Sequence, residues 1–480
     1  MFAMRSRLFT AVLSLSACGP EVAPLAELSE LCGQEAPVKL LELEEHQYFW
    51  STETARAGNE RIVLTVHDYD PSGDGWFHTG GTLWSVGSCG EEPRVLATGA
   101  TLLPWPEHVL GDAGGLVLAC MVGSGDIVVL DPTGREEATT LFEGTQCDPR
   151  WTEHGAIELR QHGEANTLVL YPLPDDLRAG AFEPRMLVES VRLGFLQWAV
   201  RADEVFVVTS DDALLRVGLP QGGATVEQTG VRVFSATNEW IVWQEISPGF
   251  YDNVFLRDRA TGEDRFLGET NLILDPNGPF PGGPFVDEHD VLVIGFGPGS
   301  GSFQRVFFLP TLDHVDLPEG EVLRWHVEGD QWVTQKAGGQ SFIRSLRSEQ
   351  RVSFFDRRAQ IFSAEGGAHA YGGALCCGFS TFQETGPMWF VPYEGSSRKL
   401  AERVSMFHVR AADHRITTVL DLDDEHRGNL FAIAPERLVE QLVDRRVFAP
   451  SVRLFDDDSI LYGVLDGDRS GIWRTRVAPN

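Results

Sequence analysis

A short β-rich run recurs along this chain, and its spacing constrains the fold more than any other feature. It reads Thr82–Val86, Asp126–Asp131, Thr167–Tyr171, Ala213–Val217 and Asn253–Asp258. It continues as Arg305–Leu309, Ser341–Ser345, Met388–Pro392, Asn429–Ile433 and Gly471–Thr475. These copies recur about every 43 residues, the period of a four-stranded propeller blade. A turn and another short strand usually follow, most clearly in Arg257–Leu267, where Gly262 supplies the turn. An apolar run precedes most copies, as in Arg61–Val66, Glu204–Thr209 and Ile460–Val464. Such continuous hydrophobic runs suit innermost strands, covered on both faces. Separate sandwiches would not enforce one period throughout. The expected fold is therefore an all-β β-propeller of four-stranded blades over residues 36–480, with ten repeats counted and eight to ten blades.

The last copy, Gly471–Thr475, has almost no chain after it, whereas Val38–Glu44 and Gln47–Ser51 precede the first complete copy. These N-terminal strands are expected to complete the final blade and close the ring, which removes exposed edges. Asn253-Val-Phe-Leu-Arg-Asp-Arg-Ala-Thr-Gly262 resembles the repeat of TolB-type β-propellers, common in exported bacterial proteins. The likeness spans roughly residues 60–480; the copies near His154–Tyr171 and His369–Pro392 depart from it.

Arg5 and Arg7 precede the apolar run Leu8–Leu15, the layout of a secretory signal peptide over residues 1–17. Leu15-Ser16-Ala17-Cys18 resembles the lipobox of bacterial lipoproteins, which implies that Cys18 is acylated and residues 18–35 form a tether. Several acyl chains, palmitate among them, anchor stably where one is marginal. Gly19 after the cysteine resembles the signal for an outer-membrane destination. Six further cysteines (Cys32, Cys89, Cys120, Cys147, Cys376 and Cys377) suit disulfides in an exported protein; their pairing is open.

A net charge of −31 repels phosphate, so nucleic acid and anionic lipid surfaces are poor partners. The expected contact with membrane is the lipid anchor only. No catalytic constellation stands out: there is no G-x-S-x-G elbow, and the histidines are dispersed. In His67–Gly75, Asp68, Asp70 and Ser72 with Gly73, and Asp74 beyond, resemble the first half of a calcium loop. Thr79 stands where that loop places its bidentate acid, so a plain acidic turn competes with a calcium site. Calcium is the one cofactor this pattern suggests; otherwise none is expected.

If each acidic cluster joins the first and second strands of its blade, three clusters meet on one face. They are Asp68, Asp70 and Asp74; Asp421, Asp423, Asp424 and Glu425; and Asp466 and Asp468. The resulting acidic patch would recruit a cationic ligand or an envelope protein. The expected function is thus a non-catalytic binding or scaffolding module in the cell envelope. The alternative is an envelope lyase or hydrolase with its site in the central channel.

Overall fold

The computed structural model describes residues 26–477 except for connecting segments, the longest being 69–79, 107–114, 271–284 and 373–384. Its architecture is all-β. Among the described residues the strands form six four-stranded and two seven-stranded antiparallel sheets. Each seven-stranded sheet is two four-stranded units sharing one long strand, Arg94–Leu103 in one and Val439–Leu454 in the other. The four-stranded sheets that the repeat predicts are present, including those containing the divergent copies Ala165–Pro172 and Gly386–Pro392.

The strand register differs from expectation in a uniform way. Each repeated run is the third strand of its unit, and the apolar run before it is the second. Arg61–Asp68, for example, lies between Gln47–Ala57 and Gly81–Gly87, not at the inner edge. The runs are buried on both faces because sheets stack on both sides of them. The first strands are short and mixed, as in Trp198–Arg201, whose residues are all half-buried. First strands of consecutive units touch one another: Arg150–Thr152 meets Trp198–Arg201, and Val231–Ala236 meets Phe285–Val286.

The core is divided among the junctions between units. Phe206, Val208 and Leu214 of one unit pack against Phe234, Ile241 and Trp243 of the next. A corresponding cluster joins the first and last units, where Phe49, Ile62 and Leu64 meet Phe455, Leu461 and Ile472. The N-terminal strand Val38–Glu42 pairs antiparallel with Gly471–Arg476 and adds Val38 and Leu40 to that cluster. Gln47–Ala57, expected beside it, is instead the first strand of the first unit. It packs on the last inner strand, within Val439–Leu454.

Part of the segment read as tether is seated on this body. Leu28 bridges to Val477, Leu31 is buried, and Cys32 is bonded to Cys89. A second disulfide joins Cys120 to Cys147. Cys18, Cys376 and Cys377 lie outside the described residues. Among the described residues no helix is long and apolar enough to cross a membrane.

Candidate functional site: a pocket where the first and last units meet

Antiparallel order places alternate turns at opposite ends of each unit. The turns 421–426 and 465–470 both join second to third strands, as Asp68 ends a second strand and Gly81 opens the third. These two turns and Asp68 therefore lie at one end, although one strand later in the register than the sequence reading placed them. There the ninth, tenth and first units enclose a pocket of about 450 Å³.

The pocket has an aromatic floor. Tyr48 and Phe448 meet edge to face with centroids 5.7 Å apart, and Trp50 packs against both. Leu465 extends this apolar surface. Tyr48 also stacks on His67, whose Nε2 lies 2.7 Å from Glu53 Oε2 in a buried pair. That pair fixes the floor from behind.

The rim is charged. Asp424, Glu425, His426 and Arg427 come from one turn, Asp466 and Ser470 from another, and His46 and Gln47 from the entry to the first unit; Arg446 completes it. Asp423 holds the first turn together: its carboxylate accepts from the amides of Glu425 and Arg427 and from the Arg427 guanidinium at 3.0 Å. These hydrogen bonds hold its pKa below the usual carboxylate range despite the opposing effect of burial. Asp423 is thus a structural residue. Arg427 also pairs with Glu425, and Arg446 Nε lies 3.2 Å from Asp466. Burial lowers the pKa of His426, against the pull of Asp423 and Asp424.

The sequence-predicted residues fall into three groups. Asp424 and Asp466 line the pocket. Asp68 flanks it, accepting from Gln47 Nε2 at 3.1 Å and lying 3.8 Å from His46 Nε2. Asp421 accepts from Asn429 and sits 3.8 Å from Arg403, while Asp468 is exposed on the turn Gly467–Arg469. Asp70, Ser72 and Asp74 lie outside the described residues. The sequence reading missed Tyr48, Phe448, His46 and Arg446, which belong to strands and entries rather than to acidic turns. The aromatic run at residues 48–50 was the available signal.

At the opposite end, Glu153, His154 and Asp203 bring three metal-capable donors together, with His154 Nε2 2.8 Å from Asp203 Oδ1. Both carboxylates are exposed, and the hydrogen bond already satisfies the imidazole. A second pocket at that end, about 360 Å³, is lined by Glu60, Arg61, Glu92, Arg94 and Arg135 and lacks an aromatic floor.

No protein-family model matches the chain, and no curated protein matches it. Among solved structures it is similar to the β-propeller domain of the Trilobed protease from Pyrococcus furiosus, at 11% identity and a TM-score of 0.29, covering 69% of this chain and 97% of that one. It is similar also to oligogalacturonate lyase from Vibrio parahaemolyticus (12% identity, TM-score 0.28, 65% and 84% covered). TolB from Acinetobacter baumannii matches at 9% identity and a TM-score of 0.26, with 60% and 79% covered. Likenesses this distant carry no argument about the present chain, whose reading rests on its own strands and side chains.

Proposed function

We propose that this chain is a TolB-like β-propeller of ten four-stranded blades, closed by Val38–Glu42, that serves as a non-catalytic binding module. The ring reading draws on the cluster that joins first and last units, and on the N-terminal strand paired into the last sheet. In this reading Cys18 carries the lipid that holds the module in the bacterial envelope, at the outer membrane.

One observation carries the binding role: a concave pocket with an aromatic floor and convergent polar groups, built from three units at a single seam. Its volume is within the range of ordinary ligand sites. The imidazole stacked on the floor, His67, is buried behind Tyr48 and already engaged by Glu53, an arrangement suited to support rather than proton transfer.

The test fills the pocket without disturbing the core. His46 is half-exposed at the mouth, so His46→Trp should occlude it and leave the melting temperature unchanged. Envelope extract passed over immobilised wild-type and variant protein should yield a set of ligands retained by the first and lost by the second. Equal retention by both would sink the assignment of this pocket.

A further inference from the structure

Resting on the pocket reading above, we infer that the ligand is a basic side chain, a guanidinium or ammonium on an apolar stem, presented by a polypeptide partner. The argument starts from the balance of charge. Asp68, Asp423, Asp424, Glu425 and Asp466 lie in or beside the pocket, against two guanidiniums, Arg427 and Arg446. Both arginines are already committed, Arg427 to Asp423 and Glu425, and Arg446 to Asp466. Asp423 is consumed by its own turn. Asp424 is exposed, and among the described residues its carboxylate is held by no ion pair or hydrogen bond, acting on His426 through its field alone. A carboxylate in excess therefore stands over an apolar floor.

That pairing of features selects among ligand classes. An anion would meet arginines that are engaged and a His426 held toward its neutral form, in a chain of charge −31. A wholly apolar ligand would cover Asp424 and strip its water with nothing in return. A cation on a hydrocarbon stem satisfies both surfaces: the stem lies on Tyr48, Phe448 and Leu465, and the charge meets Asp424. The wall already holds such a group, since the guanidinium of Arg446 rests 3.2 Å from Asp466 within the same pocket.

A polypeptide source follows from what surrounds the mouth. Glu44 lies 3.6 Å from His46, Asp68 is beside it, and Asp468 is exposed on the adjoining turn. These acids extend beyond one side chain and would meet neighbouring basic residues of an extended segment. Charge complementarity of this kind speeds encounter and fixes orientation.

Titration calorimetry on the full chain tests this with three probes: a capped Gly-Arg-Gly-Arg-Gly-Gly peptide, its analogue with Glu for Arg, and free arginine. The Arg peptide should bind at least tenfold more tightly than the Glu peptide and weaken as salt rises from 20 to 150 mM. Asp424→Asn should weaken it about fivefold, with an unchanged melting temperature as the control for folding. Tighter binding of the Glu peptide, or indifference to Asp424→Asn, would overturn the inference. Free arginine binding as tightly as the peptide would refute the polypeptide source. If no probe binds while His46→Trp still abolishes capture from extract, the ligand class is wrong and the pocket reading stands. If His46→Trp changes nothing either, the pocket reading itself fails.

Discussion

The junction between the fourth and fifth units and the seam between the last and first units perform the same task with different means. At the ordinary junction the chain runs directly from Ala224–Gln228 into Val231–Ala236, so covalent continuity holds the units side by side. Apolar packing around Phe206, Phe234 and Trp243, with ion pairs such as Arg257–Glu227 at 3.0 Å, completes it. At the seam the chain also runs directly from Val38–Glu42 into Gln47–Ala57, but no covalent continuity joins Val38–Glu42 to the other strands of the last unit, and attachment there is layered. Val38–Glu42 pairs into the last sheet, Cys32–Cys89 ties its approach to the first unit, and Asp457 accepts from Arg56 at 2.6 Å and Arg474 at 2.7 Å. Arg474, almost wholly buried, also donates to Ser88 O of the first unit. Where sequence does not enforce proximity, specific interactions must offset the entropy of closing a long loop.

The largest expected effect follows from removing that layering. Deleting residues 26–43 takes away the buried side chains of Leu31, Val38, Leu40 and Leu43. At about 1.5–3 kcal/mol each, their loss amounts to about 6 kcal/mol or more, comparable with the whole stability of an ordinary domain. The truncated protein should lose its cooperative calorimetric transition. The double change Cys32→Ser, Cys89→Ser separates the bond from the strand; with a 57-residue separation it should cost about 4 kcal/mol and leave the transition intact. An unchanged melting curve after the deletion would mean that the seam needs no stitching, and the comparison would collapse.

Acid should separate the regions next, because they titrate differently. At the junction of the eighth and ninth units, His369 Nε2 lies 2.9 Å from His414 Nδ1. Burial, and then the neighbouring imidazole, push the His369 pKa down to about 4. The unfolded chain takes up this proton near pH 6.5, the folded chain only near pH 4. Stability therefore falls as pH drops between those values, by up to about 3 kcal/mol. Asp457 behaves differently: hydrogen bonds from Ser459 and Arg56 outweigh burial and hold its pKa well below the carboxylate range. Its contribution is present above the ordinary carboxylate value and is lost only as pH falls beneath it. Urea midpoints from pH 7 to 4.5 should decline for wild type and for Asp457→Asn, and decline less steeply for His369→Gln, in which His408 and His426, also held toward their neutral forms by burial, still contribute. A decline undiminished in His369→Gln would place the acid-sensitive contact elsewhere.

These differences explain which parts of the molecule were legible. The period was, because third strands such as Asp252–Asp258 bury alternate residues under strong local constraint. The inner strands were not: Phe285–Val286 has two residues and Arg150–Thr152 three, too few to carry a pattern, so register was misassigned by one strand. Asp424 was visible as an acid in a turn. Its floor was not, since Tyr48 and Phe448 come together only when the first and last units meet. Nor could composition distinguish Asp423, spent on its own turn amides, from Asp424 beside it; the difference lies in backbone geometry.

The smallest prediction uses one substitution in both regions. Gly262, in the hairpin turn of the fifth unit, has φ +72° and open space where a Cβ would sit. Its amide donates to Asp258 O, and the Asp258 carboxylate accepts from the amides of Ala260 and Thr261. Alanine here meets no atom, so Gly262→Ala should cost about 1 kcal/mol, from the left-handed backbone alone. Gly471 lies at the seam, on the strand that receives Val38–Glu42, and a Cβ there would come within 2.7 Å of Leu41 O. Gly471→Ala must push the closing strand away, at about 2 kcal/mol. Asparagine, which tolerates the left-handed region, should recover part of the loss at residue 262 but worsen it at residue 471. Urea denaturation of the four variants reads all of this. Equal costs for the two alanines would mean that the closing strand yields freely, and the tight pairing inferred at the seam would have to be abandoned.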